Sequence, residues 1–173
     1  ALYKGNGARL DLTDSTFLNN HAVRTDPSND DTDGAGRGGA IFATGSTGSP
    51  TQGAYVGGCS FQENIADGGG AAIASWLESW FFNASSFVDN VDNSNDEGLM
   101  RLQKGHIIVR DCDFTTAQRI VDHTTTSSTL KVYCSPTLTS ANVWVCGGGD
   151  DTYDTTCGPV VDTNAFGFDV TWP

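Results

Sequence analysis

Four segments of this chain align on a phenylalanine, and that alignment restricts the fold more than any other feature. They are residues 10–20, 54–64, 80–90 and 107–117, with Phe17, Phe61, Phe87 and Phe114 in one column. Seven residues before each Phe stand Leu10, Ala54, Trp80 and Ile107, and five before stand Leu12, Val56, Phe82 and Val109. Two before it stand Ser15, Cys59, Ser85 and Cys112; three after it stand Asn20, Asn64, Asn90 and Ala117. Alternation, a bend, then a second inward pair is the pattern of two short strands joined at a corner.

The Phe residues are spaced 44, 26 and 27 apart. The long first interval contains two polar insertions, at 25–37 and 44–53, and without them the unit is about 26 residues. A second strand signal follows each Asn: Gly38-Gly39-Ala40-Ile41, then Gly69-Gly70-Ala71-Ala72-Ile73, then Gly98 to Leu102, then Arg119 to Val121.

Strands this short cannot bury a face alone. Stacked coil on coil, each strand lies ~4.8 Å from its copy, and the apolar columns fuse into one core. The expected fold is therefore all-β, a parallel β-helix, right-handed from the chirality of strand connections. Paired Gly residues suit a tight corner. Asn at the repeated bend tolerates left-handed backbone angles, and stacked Asn side chains can bond along the column. A β-sandwich is the competing fold, but it would not require the same residue class at four matched columns.

Composition agrees with short strands and frequent turns. Gly numbers 21, while 38% of residues are hydrophobic and 10% aromatic, enough to build a core. Nine Lys and Arg against 21 Asp and Glu leave a net charge of −12. That excludes nucleic acid as a natural partner and opposes anionic membranes. No run of about 18 apolar residues is present, so direct membrane insertion by a helix is not expected. The start, Ala1 to Lys4, lacks a signal-peptide core, which suggests a mature or excised segment of a larger protein.

Phe-x-x-Asn together with Gly-Gly-Ala-Ile resembles the repeat of chlamydial polymorphic outer membrane proteins, also found in surface proteins of other bacteria, algae and protists. Residues 17–20, 61–64 and 87–90 carry the first motif; residues 38–41 carry the second, and 69–73 carry it with one extra Ala. The resemblance covers residues 9–117 and weakens in the fourth unit, where Ala117 replaces Asn. It implies a right-handed β-helix serving as an adhesin or extended surface scaffold. The family's membrane-embedded barrel region has no counterpart here.

The chain is thus expected to divide into regular coils over 1–123 and an irregular C-terminal part over 124–173. In the latter, Leu130 to Tyr133 and Ala141 to Val145 read as strands, and residues 164–173 as a cover for the open end.

Five cysteines are present. Cys59 and Cys112 share a column two coils apart, beyond the ~7 Å reach of a disulfide, so they are expected as separate buried thiols. Among Cys134, Cys146 and Cys157, the pair Cys146–Cys157 around a glycine turn is the first choice, with Cys134–Cys157 and Cys134–Cys146 as alternatives.

Chemistry is sparse. Asn29, Asp31 and Asp33 before Gly34 resemble the first half of a calcium loop, yet Ala40 stands where the liganding Glu belongs. A solvated acidic insertion is the competing reading, and calcium is the one cofactor that the sequence suggests. Arg110, Asp111 and Asp113 project outward, but the coil before offers only Asn83, Ala84 and Ser86, so no acidic ladder or facing carboxylate pair forms. His21, His106 and His123 occupy unrelated positions without a nucleophile. Asn83-Ala84-Ser85 is a glycosylation sequon, relevant for a secreted eukaryotic chain. Trp76, Trp80 and Phe81 form either a core plug or a sugar platform, and the inward column favours the core for Trp80.

The expectation is a non-catalytic structural or adhesive β-helix segment at the cell surface or outside the cell. Its partners would be other protein chains of a surface assembly, or glycans. The alternatives are a polysaccharide lyase or epimerase, a sugar-binding β-helix, and an accessory subunit of a larger complex.

Overall fold

The computed structural model describes residues 1–5, 8–25, 36–44, 53–76, 79–94, 98–103, 106–115, 121–123, 129–133, 135, 137, 143–145 and 150–153. Every regular element among the described residues is a strand, and every strand pairing is parallel. The chain folds as a parallel β-helix.

Four sheets run along it. Sheet A stacks Leu2–Lys4, Ile41–Thr44, Ile73–Trp76, Met100–Gln103, Val121–His123 and Val143–Val145. Sheet B stacks Leu10–Thr13, Ala54–Gly57, Trp80–Asn83, His106–Arg110, Thr129–Tyr133 and Asp150–Tyr153. Sheet C stacks Thr16–Leu18, Ser60–Gln62, Ser86–Val88 and Asp113–Thr115; sheet D stacks His21–Ala22, Ile65–Ala66 and Val91–Asp92. The first three coils visit A, B, C and D in turn; among the described residues the fourth has strands in A, B and C, and the later ones in A and B.

The columns read from sequence are the columns of the stack. Leu12, Val56, Phe82 and Val109 are consecutive partners in sheet B, and Phe17, Phe61, Phe87 and Phe114 in sheet C. Parallel, in-register pairing brings like side chains together at the strand spacing. The Phe rings accordingly stack at 5.0, 4.8 and 4.8 Å, within 4° of parallel. Phe61, Phe82, Phe87, Trp80, Ile41 and Met100 are fully buried at the centre. The Trp80 indole N–H is satisfied there by Ser75 Oγ at 2.9 Å.

The corners differ from the expectation in one respect. Asn20, Asn64 and Asn90 do not adopt left-handed angles; the residues just before them do, Asn19 (φ 52°), Glu63 (52°) and Asp89 (50°). The Asn side chains are needed inside the corner, so the tight bend falls one residue earlier. A second left-handed column lies between sheets B and C, at Asp14 (φ 48°), Gly58 (63°), Ala84 (48°) and Asp111 (51°). Ala40 N–H and Ile41 N–H both donate to Ala72 O, at 3.0 and 2.9 Å, as Ala72 N–H and Ile73 N–H both donate to Leu99 O, at 3.0 and 3.3 Å. The second Gly-Gly motif keeps step with the first from Gly70 onward: Gly38 (φ 69°) and Gly70 (68°) turn the same corner, three residues before the paired Ile41 and Ile73, so Ala71 stands where the first motif has Gly39. Gly39 is required opposite Ala71, because a Cβ would come within 2.2 Å of Ala71 O.

Pairing continues past residue 123. Val109 pairs with Val132, and Val132 with Tyr153. Successive partners Phe61, Phe87 and Phe114 are 26 and 27 residues apart; the next two steps in sheet B are 23 and 21. The later coils are smaller.

Candidate functional site

Among the described residues, polar side chains concentrate at three places on the stack. The first is the corner between sheets C and D. Here Asn20, Asn64 and Asn90 form a ladder: Asn20 Nδ2 donates to Asn64 Oδ1 at 2.9 Å, and Asn64 Nδ2 to Asn90 Oδ1 at 2.8 Å. Each Oδ1 also accepts the backbone N–H of the Asn before it, at 3.1 and 3.0 Å. The remaining amide protons reach back one coil, Asn64 to Phe17 O at 3.0 Å and Asn90 to Phe61 O at 2.9 Å. Asn64 and Asn90 are buried. A carboxamide has two donors and an acceptor with two lone pairs, so every group of Asn64 is used.

The second place is the corner between sheets B and C, where Ser15, Cys59, Ser85, Cys112 and Ser135 make one column. Cys59 N–H donates to Ser85 Oγ at 3.1 Å and Cys112 N–H to Ser135 Oγ at 3.0 Å. Both thiols are buried and free. Burial raises the Cys59 pKa and pushes that of Cys112 up to about 12. A thiol held protonated is a poor nucleophile, so these two cysteines are packing groups. The sequence showed this column as far as Cys112. Ser135 escaped notice because Thr137 stands where the guiding Phe would be; Phe114 N–H donates to Thr137 Oγ1 at 2.9 Å.

The third place lies at the exit from sheet D and joins three coils. His21 Nε2 donates to Asp67 Oδ1 at 3.0 Å, and Asn93 Nδ2 donates to the same oxygen at 2.9 Å. Arg24 N–H donates to Asp67 Oδ2 at 3.1 Å. Hydrogen bonds from His21 and Asn93 hold the Asp67 carboxyl down at about 2. Next to it, Gly68 O accepts from Arg37 Nε and Arg101 Nη1, both at 3.3 Å. His21 therefore has an acidic partner that sequence spacing did not reveal. His21 follows its Phe by four residues, whereas Asp67 and Asn93 follow theirs by six. Only the register of His21 with Ile65 and Ala22 with Ala66 brings Asp67 near the His, two residues past the partner of His21.

The other candidates fall as follows. Asn83 is half-buried, Ala84 exposed and Ser85 buried, with Ser85 Oγ donating to Asn83 O at 3.0 Å. Asp111 and Asp113 are exposed, and Asp111 Oδ2 accepts from Arg110 Nε at 3.2 Å. In the stack Arg110 stands between Asn83 and Tyr133. Trp80 and Phe81 are buried, whereas Trp76 is 39% exposed. Asn29, Asp31, Asp33, Cys134, Cys146 and Cys157 lie outside the described residues, as do residues 26–35 and 45–52 of the two insertions. Among the described residues, no three His, Cys, Asp or Glu side chains gather to hold a metal ion.

The stretch that opens with the Asp14 corner, passes Phe17 and Asn20, and ends on the Gly-Gly-Ala-Ile strand is the part of the chain that resembles a known repeat. Residues 14–44 match the model of the Chlamydia polymorphic membrane protein repeat. The matched residues span the sheet C and D strands of the first coil and the sheet A strand of the second. No curated protein and no solved structure matches the chain. No helix among the described residues is long and apolar enough to cross a membrane.

Proposed function

We propose that the chain is a non-catalytic structural or adhesive β-helix segment of an extracellular or cell-surface assembly. One observation carries the reading: at the two bonded corners the polar side chains are turned inward to tie coil to coil. Asn64 spends its whole side chain on the two neighbouring coils. The Ser and Cys column does the same for corner N–H groups. Residues committed in this way supply stiffness, and contact with partners falls to outward side chains and loops. The surface repeat in residues 14–44 supports the location. The charge of −12 favours solubility and bridging by divalent cations, calcium among them.

Glycans are the second class of partner, favoured by the outer face of sheet A. Tyr3 is 67% exposed and stacks on Phe42 at 5.9 Å, with its hydroxyl 3.4 Å from Thr44 Oγ1. Flat, exposed rings with a nearby hydroxyl are suited to sugar faces. A glycan array and a polysaccharide turnover screen, each with and without calcium, test the proposal. Binding without turnover is the expected result. Sustained depolymerisation of a polyuronate would replace the scaffold reading with the lyase one.

A further inference from the structure

Asn83-Ala84-Ser85 is the one Asn-x-Ser/Thr sequon of the chain, and it turns the corner from sheet B to sheet C in the third coil. Asn83 ends the strand Trp80–Asn83 and stands outward, since Phe82 before it points into the core. Asn64 and Asn90 spend their carboxamides on neighbouring coils, whereas the Asn83 side chain makes no hydrogen bond among the described residues. Its partners across the ladder are Gly57, which has no side chain, and Arg110, which bonds Asp111. The Tyr55 ring lies across Gly57, where a Cβ would run into the Tyr55 hydroxyl. Asn83 is therefore half-buried beside a flat aromatic ring, with its amide unspent.

The rest of the motif is locked between coils. Asn83 O accepts from Gly58 N–H and from Ser85 Oγ, both at 3.0 Å, and Ala84 N–H donates to Arg110 O at 3.0 Å. Ser85 Oγ accepts Cys59 N–H at 3.1 Å, and Ser85 is 2% exposed. The two polar groups of the sequon thus differ in access. The amide is open, and the hydroxyl is closed inside the stack.

We propose that Asn83 is an N-glycosylation acceptor, modified before the third coil closes on the second. Transfer joins Asn83 Nδ2 to C1 of the first sugar of a lipid-diphosphate-linked oligosaccharide. The bond from C1 to the diphosphate oxygen breaks, the lipid diphosphate leaves with that electron pair, and Nδ2 gives up one proton. The transferring enzyme reads the sequon hydroxyl together with the amide. In the folded chain, reaching that hydroxyl would strip Cys59 N–H of its acceptor inside the corner, so the step belongs to the open chain. Folding then leaves the sugar outside, because the Asn83 amide has no partner to lose. The first sugar lies against the Tyr55 ring. A glycan here keeps this side of sheet B in water, and the contacts of the assembly fall on other faces. The proposal rests on the extracellular location in the scaffold reading. Its test reads mass rather than adhesion or turnover, so the two fail separately.

The full chain, behind a secretion leader, is translated in the presence of eukaryotic microsomes. A mass gain of one oligosaccharide is expected, removed by peptide N-glycosidase and absent from Asn83→Gln. Because modification precedes folding, a variant that folds poorly still reports on it. The purified folded chain and a synthetic peptide of residues 79–88 are then offered to the solubilised transferase with its lipid-linked oligosaccharide. The peptide should be modified faster than the folded chain by on the order of tenfold or more, the cost of leaving a buried N–H unpaired. No mass gain, or a gain that persists in Asn83→Gln, overturns the proposal. A folded chain modified as fast as the peptide overturns the order of events. Removing the glycan should lower the urea midpoint, and by less in Tyr55→Ala; an equal drop in both overturns the packing against Tyr55.

Discussion

The second and third coils and the first coil present the same residue types at the same columns, yet they differ in burial. Phe61 and Phe87 are fully buried, whereas Phe17 is half-buried; Val56 and Phe82 are buried, whereas Leu12 is half-buried. Asn64 uses all its hydrogen-bonding groups on neighbours, whereas Asn20 has a coil on one side only. In a solenoid, then, a residue's worth is set by whether its column continues on both sides, because each unit is stabilised by its nearest neighbours.

The sharpest way to break this comparison is to cut the Phe stack at two heights. Phe61→Ala should cost about 3–5 kcal/mol in urea unfolding, and Phe17→Ala about half as much. Equal losses would mean that position in the stack does not matter. Next comes the ladder. Asn64→Ala leaves Asn20 N–H and Phe17 O without their partners and should cost about 2–3 kcal/mol, against about 1 kcal/mol or less for Asn20→Ala.

A smaller effect, of opposite sign, is expected at the left-handed column. Ala84 (φ 48°) occupies a position that Gly58 fills in the coil before. Ala84→Gly should stabilise the protein by about 1 kcal/mol, and Gly58→Ala should destabilise it by a similar amount. A Cβ at Gly58 would also come within 2.5 Å of Asp14 Oδ1.

The smallest effect is expected at Asp67, whose bonds cross three coils at the surface. Its carboxyl is lowered from 3.8 to about 2 on folding. The stabilisation is therefore complete above about pH 4 and lost as pH falls through about 2. Asp67→Asn should lower the urea midpoint at pH 5, and the difference from the unaltered chain should shrink as pH falls through about 2. A difference that does not shrink between pH 5 and pH 2 would assign Asp67 a role other than charge-assisted bonding.

Much of the architecture was legible because the signal lies in like residues at matched columns. Leu12, Val56, Phe82 and Val109 could be superposed on paper, and they are consecutive partners in the structure. Legibility stopped where the marker residue changed. Ser135 continues the Ser and Cys column, but with Thr137 in place of Phe it could not be aligned. The left-handed columns were also missed, since Asp, Ala and Glu carry no conformational signature comparable to Gly. The His21–Asp67–Asn93 cluster was hidden because its members sit at different offsets in their coils.

Sequence alone determined that this chain repeats, which residues face inward, and that the repeats must stack to bury them. Those outcomes follow from periodicity, and periodicity is local. Tertiary structure decided which donor meets which acceptor between coils and where the chain bends through left-handed angles. These depend on register between residues 20 to 50 positions apart, which only the closed stack establishes.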